Sequence, residues 1–139
     1  ALAAAGGGTL LVPRGGIYLT LPLNLTTSGT RLRVKAGATL KALCGPDGAP
    51  SPLWPQMPML PSYGAGVMWS VPFVGAADVT DIFLDGGGVI DSSGYCWWGR
   101  KVDRPRLLQL RRVRRAELSN LLFTNSPKWT LHLWDSEDL

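Results

Sequence analysis

The sequence predicts an all-β chain wound into a right-handed, single-stranded parallel β-helix. Three observations carry the prediction: a strand pattern that recurs without a gap at an offset of 22 residues, turns marked by Gly or Asn-Ser-Pro between short alternating runs, and the lack of any amphipathic helix period. With 139 residues, 45% of them hydrophobic, the chain has enough apolar side chain for one packed unit and too little net charge for a disordered one.

The repeat is clearest near the start. TLLVPRGGIYLT (Thr9 to Thr20) lies over RLRVKAGATLKA (Arg31 to Ala42), with Leu10 on Leu32, Val12 on Val34, Gly15 on Gly37 and Tyr18 on Leu40. DIFLDGGGVIDS (Asp81 to Ser92) fits the same frame with Ile82 opposite Leu32, an offset of 50 that is one repeat of 22 plus an insertion of 28. NLLFTNSPKWTL (Asn120 to Leu131) supplies a fourth copy, with Leu121 and Phe123 as its inward pair at an offset of 39 from Ile82. SEDL at the end echoes AADV (Ala76 to Val79) and RAEL (Arg115 to Leu118) and begins a fifth.

Another short strand accompanies the pairs: LPLNL (Leu21 to Leu25), WSVPFV (Trp69 to Val74) and LLQL (Leu107 to Leu110). Three strands per turn are what such a coil requires, because each turn buries one ring of inward side chains against the next. Two insertions, near 45–66 and 92–106, are rich in Pro and Gly and read as loops without a strand ladder. A loop leaving a solenoid corner costs closure entropy that grows slowly with length, and loops are where binding surfaces form. These carry Trp54, Trp97 and Trp98, with Trp69 just beyond the first. The glycine run after Asp85 is a tight corner and not a phosphate loop, since no Lys-Ser/Thr and no helix follow it.

The expected organisation is one partial domain, 1–139, truncated at both ends. ALAAAGGG has no initiator Met and no basic region of a signal peptide, and WDSEDL stops at Leu139 where a new pattern starts. No apolar run reaches the roughly 18 residues that span a bilayer. A formal charge of +4 favours an anionic partner: nucleic acid, a membrane surface or an acidic polysaccharide. Cys44 and Cys96 show no metal spacing and stand either as one bridge between two loops or as two thiols. Asn24-Leu25-Thr26 is a sequon of a kind common by chance.

Hydrolysis of a glycosidic bond needs two carboxyl groups facing it. Asp78, Asp81, Asp85 and Asp91 instead fall at strand edges and turns, where Asp commonly bonds its own backbone. His132 is the only imidazole, so triads and histidine metal sites are disfavoured, and it is read as a strand residue alternating with Leu131 and Leu133. RPRLLQLRRVRR (Arg104 to Arg115) offers cations that would clamp carboxylates or grip phosphates, and its favoured reading is the outward positions of a strand alternating with Leu108, Leu110 and Val113.

Five blocks in order, GGGTLLVPRGGIYLT, LRVKAGATLKA, LDGGGVIDSSGYCWW, RPRLLQL and NSPKWTLH, resemble the N-terminal part of the polygalacturonase family of glycoside hydrolases. The resemblance implies a pectin-lyase-like solenoid, secreted to the extracellular space or cell wall, that hydrolyses α-1,4-galacturonosyl bonds of pectin with inversion. It implies no cofactor and no metal, an acidic polysaccharide (pectin or polygalacturonate) as partner, neither nucleic acid nor membrane, and a monomer. The family's Asn-Thr-Asp, Asp-Asp, Gly-His-Gly and Arg-x-Lys motifs do not occur here. No catalytic residue is therefore expected in this chain; the catalytic aspartates are expected beyond Leu139, and this segment alone should be inactive. What carries over is a substrate-binding role for Asn125, Trp129 and His132. Gly15-Gly16 and Ser92-Ser93 depart from the family pattern at corners, where they alter loop shape. The rival reading is a noncatalytic, carbohydrate-binding or adhesive β-helix. A calcium-dependent lyase would need clustered carboxylates, which the sequence scatters.

Overall fold

The computed structural model describes residues 7–58 and 68–139; the first six residues and the middle of the first insertion lie outside the described residues. The described residues make four coils of three strands. The first holds β1 (Gly8–Val12), β2 (Gly16–Thr20) and β3 (Leu23–Leu25), and the second β4 (Thr30–Val34) and β5 (Ala38–Ala42). An excursion carrying β6 (Gln56–Pro58) and β7 (Met68–Ser70) then leads to β8 (Val74–Ala77), which completes the second coil. The third holds β9 (Thr80–Asp85), β10 (Val89–Asp91) and β11 (Leu108–Arg111), and the fourth β12 (Arg114–Leu118), β13 (Leu122–Thr124) and β14 (Leu131–Trp134).

Like strands stack in parallel into three sheets: sheet A is β1-β4-β9-β12, sheet B is β2-β5-β10-β13 and sheet C is β3-β8-β11-β14. This is the predicted parallel β-helix. Alternation sends every second side chain inward, and the register places similar residues on one another. Leu10, Leu32, Leu84 and Leu118 form one column of sheet A; Tyr18, Leu40, Ile90 and Phe123 form one of sheet B. Leu32, Leu84, Ile90, Leu108 and Leu110 are fully buried, each adding roughly 2 kcal/mol of apolar burial.

Two of the register assignments differ from the sequence reading. Leu32 faces Leu84, not Ile82, although Leu40 faces Ile90 as expected. The offset is thus 52 before the corner and 50 after it, because Gly86-Gly87-Gly88 cuts a corner that Lys35-Ala36-Gly37 takes more widely. A slip of two keeps every apolar residue on its own face, so alternation could not reveal it. The fourth coil likewise begins at β12, where Ala116 faces Ile82, while Phe123 belongs to sheet B. Its small and charged residues, RRAEL, carry a weak strand signal.

The first insertion also contains more order than its composition promised, since β6 pairs antiparallel with β7 as the arms of a hairpin. Cys44 and Cys96, at the roots of the two insertions, are joined in a disulfide. Trp54 and Trp97 pack edge to face at 5.2 Å and are buried, so both serve the fold rather than a binding surface.

Corners between sheets C and A have a conformation of their own. Asp78, Arg112 and Asp135 on successive coils all have φ near +50°, as do Asp81, Arg115 and Asp138. Leu139, next after Asp138, is exposed and takes no part in the core. Arg112 Nε lies 2.6 Å from Asp78 and Arg115 Nε 2.7 Å from Asp81, which draws both carboxyls below their usual range. These aspartates therefore bind the arginines of the next coil instead of their own backbone. Arg112 sits in a left-handed corner between β11 and β12 and Arg115 in a left-handed kink within β12, and both are exposed, as the sequence reading expected.

Candidate functional site

The outward column of sheet C runs Asn24, Gly75, Gln109, His132, one residue per coil. The next outward column is Ala77, Arg111 and Trp134. Beside these columns stands the β6–β7 hairpin, and between them lies a cleft of about 430 Å³ lined by Asn24, Met57, Trp69, Gly75, Gln109, Arg111 and Trp134 among others. Gly75 in mid-column keeps the floor low, since a Cβ there would approach Pro72 to 3.0 Å.

His132 follows Gln109 in the column, one coil on and beyond the residues that line the cleft. Its ring meets Trp129 edge to face at 4.8 Å and Trp134 at 5.9 Å. Burial, then the positive charges of Arg106 and Lys128, hold its pKa below the usual value, so the ring is neutral at pH 7. Nδ1 of His132 and Oε1 of Gln109 are both buried without a hydrogen-bond partner among the described residues. Buried polar atoms are normally paired, so these two mark adjacent coils of the column where the described residues supply no partner.

Arg106 was expected among the outward cations. It is instead 1% exposed, with its guanidinium carbon 3.8 Å from the Trp69 ring centre and 5.4 Å from that of Trp129. Being large, planar and weakly hydrated, a guanidinium can be buried against indole faces where an ammonium would resist. Asp103 holds the hairpin from below, accepting from the Ser70 N–H at 2.6 Å and lying 3.8 Å from Lys128 Nζ. The hairpin, the second insertion and the Asn125 turn are thereby fixed to one another.

Of the three residues expected to bind substrate, the structure brings Trp129 and His132 together. Asn125 stands at the turn before them in a left-handed conformation, and its carbonyl accepts from the Gly94 N–H at 2.6 Å and the Ser92 hydroxyl at 3.1 Å. Gln109 and Trp134 were not singled out from sequence, Arg111 only as one cation of the basic run, and Trp69 only as one tryptophan near a loop. Gln109 interrupts LLQLR at an outward position, and that polar residue in an apolar strand was the available signal. Among the described residues no Asp or Glu lines this cleft. The cleft thus sets an amide, a guanidinium and two indole rings in one lining.

No family model matches the chain. It is 36% identical over 140 residues to a Vitis vinifera protein named "Probable polygalacturonase", covering 91% of this chain and 27% of that one. The fold matches a hyperthermoactive exopolygalacturonase from Thermotoga maritima with a TM-score of 0.72 at 24% identity, covering 96% of this chain and 37% of the other. It matches a polygalacturonase from Erwinia carotovora subsp. carotovora with a TM-score of 0.58 at 26% identity, covering 80% and 33%. The chain spans 27% to 30% of the length of its curated relatives. A shared run of coils, matched in sequence by one relative and in fold by the others, makes this chain similar to a segment of the polygalacturonases.

Proposed function

We propose that the chain forms the substrate-binding wall of a secreted polygalacturonase-like hydrolase that cleaves α-1,4-galacturonosyl bonds of pectin with inversion, and that the catalytic aspartates belong to coils beyond Leu139. The observation that carries the reading is the column of Gln109 and His132, flanked by Arg111, Trp129 and Trp134 and free of carboxylates in the cleft. Indole faces suit sugar rings, Arg111, which pairs at 3.4 Å with the exposed Asp78, suits a uronate carboxylate, and the amide of Gln109 and the imidazole of His132 suit sugar hydroxyls. Asn125 belongs to this wall as the corner from which Trp129 and His132 are presented. The Cys44–Cys96 bridge supports secretion, because disulfides persist in oxidising compartments.

Calorimetric titration with hexagalacturonate, and with a neutral galactose oligomer as control, tests the reading. The acidic oligomer should bind, the neutral one should bind more weakly, and His132→Ala and Gln109→Ala should each weaken binding. No reducing ends should appear from this chain alone. Equal binding of both oligomers, or unchanged affinity in both variants, would overturn it. If a parent protein holding this chain bound the oligomer and never cleaved it, the noncatalytic binding module would take its place.

A further inference from the structure

A second cleft, of about 580 Å³, lies on sheet A and is lined by Arg14, Arg31, Arg33, Lys35, Asp85 and Glu117 among others. Four cations thus face two carboxylates. Arg31 and Arg33 both pair with Asp85, so one negative charge serves two guanidiniums, and Arg31 also lies 4.8 Å over the Phe83 ring. Glu117 stands two coils from Arg31 in the same column, roughly 10 Å away at the usual strand spacing. Among the described residues no carboxylate pairs with Arg14 or Lys35, both of them exposed.

The contrast with the other arginine cluster is informative. Arg112, Arg114 and Arg115 each meet a carboxylate, Asp78, Glu137 and Asp81, at 2.6 to 2.7 Å. There Asp78 also serves Arg111 at 3.4 Å, yet each of the four arginines has a carboxylate partner, whereas on sheet A Arg14 and Lys35 pair with none among the described residues. The sheet A cations are also ordered in a line: Arg31, Arg33 and Lys35 alternate along β4 and its exit at roughly 6.6 Å, with Arg14 on the coil below. Asp85 and Phe83 hold the two guanidiniums in place, which lowers the entropy lost on binding.

We propose that this face is a second binding site, for a linear carboxylate-bearing saccharide, separate from the cleft on sheet C and independent of the reading given to that cleft. A row of spaced cations fits spaced single charges along a chain better than one compact ion. A nucleic acid would call for exposed aromatic faces on which bases stack, and the one ring here lies beneath Arg31.

The test is backbone-amide NMR of the 139-residue chain titrated with hexagalacturonate, repeated on Arg14→Ser/Lys35→Ser and on His132→Ala. Both serines replace exposed side chains that make no ion pair, so the fold is retained. Signals of Arg31, Arg33 and Lys35 should move with the hexamer in the wild type and in His132→Ala. In the double variant the apparent affinity read from these signals should fall at least roughly tenfold, as expected when charge-assisted contacts are lost. Sheet A signals that stay still with the hexamer would overturn the proposal. So would sodium sulfate moving them at equal concentration, which marks a point-anion site, or a thymidine hexanucleotide binding there more tightly than the saccharide.

Discussion

The guanidinium of Arg106 lies 3.8 Å from the ring centre of Trp69, although one residue ends the second insertion and the other sits on the hairpin of the first. The same group faces Trp129 at 5.4 Å and adds to the charge that lowers the His132 pKa. One buried cation thus joins three segments that are far apart in sequence and adds, after burial, to the lowering of the His132 pKa. Replacing it with a neutral chain of similar length separates these roles. In Arg106→Met the His132 pKa should rise toward its usual value, while Arg106→Lys should leave it depressed. Desolvated cation–π contacts reach about 2 kcal/mol, so Arg106→Met should also melt earlier, in part offset by sulfur–aromatic contact. An NMR titration of the imidazole signals checks the first effect and thermal unfolding the second.

Stability should depend on pH in two steps. The folded-state pKa of His132 is depressed below the usual 6.5, first by burial. A base of this kind takes up its proton more readily in the unfolded chain, so its contribution is complete above pH 6.5 and drains away as pH falls toward the folded value. Asp78, Asp81 and Asp85 are depressed below the usual 3.8, chiefly by hydrogen bonds from Arg112, Arg115 and Arg33. Their contribution is complete above 3.8 and is lost as pH falls through their folded values. Melting temperature followed from about pH 8 to about pH 2 should hold level, decline below 6.5, and decline again below 3.8. His132→Gln should remove the first decline and Asp85→Asn should blunt the second.

The Cys44–Cys96 bridge closes 52 residues of chain. On the chain-entropy account a loop of that size stabilises the folded state by up to roughly 4 kcal/mol. The loop includes the hairpin, so its loss should be felt at the sheet C cleft as well as in overall stability. A Cys44→Ser/Cys96→Ser variant should lose about 2 to 4 kcal/mol in urea unfolding. Hexagalacturonate should bind it more weakly than the wild type. Reductant should produce the same change in the wild type and none in the variant.

The fold was legible because inward and outward residues alternate, and alternation survives whatever an insertion does to spacing. That same property hid the register, since moving Ile82 or Leu84 onto Leu32 looks equivalent in sequence. The corner code was present and missed. Asp78 and Asp81, Arg112 and Arg115, and Asp135 and Asp138 are each three residues apart, and each pair repeats one left-handed corner. The last equivalent of Asp81 is Asp138, just before Leu139, where SEDL had been set against AADV. That Trp129 and His132 lie side by side was readable from the NSPKWTLH block. Gln109 and the stacking of Arg106 on Trp69 were not, because their roles depend on which coil faces which, and long-range contact is the part of a solenoid that insertions obscure.

The triple-glycine corner gives the sharpest separation between two kinds of glycine. At Gly86 the backbone has φ +124° and an added Cβ would come within 2.3 Å of the Val34 carbonyl oxygen, a rigid neighbour on the coil below. At Gly48, φ is +66° and nothing lies within 4 Å of the added carbon. Both substitutions to Ala incur the roughly 1 to 2 kcal/mol cost of a left-handed or otherwise positive-φ L-residue. Only Gly86→Ala must also push apart β4 and the exit of β9, whose contact aligns sheet A. Gly48→Ala should therefore unfold about 1 to 2 kcal/mol more easily than the wild type, and Gly86→Ala by at least about 3 kcal/mol. Denaturant unfolding of the two variants side by side decides it. Equal losses would mean that the corner relaxes around the methyl group, and that the shortened turn, rather than close coil-to-coil contact, is what calls for glycine there.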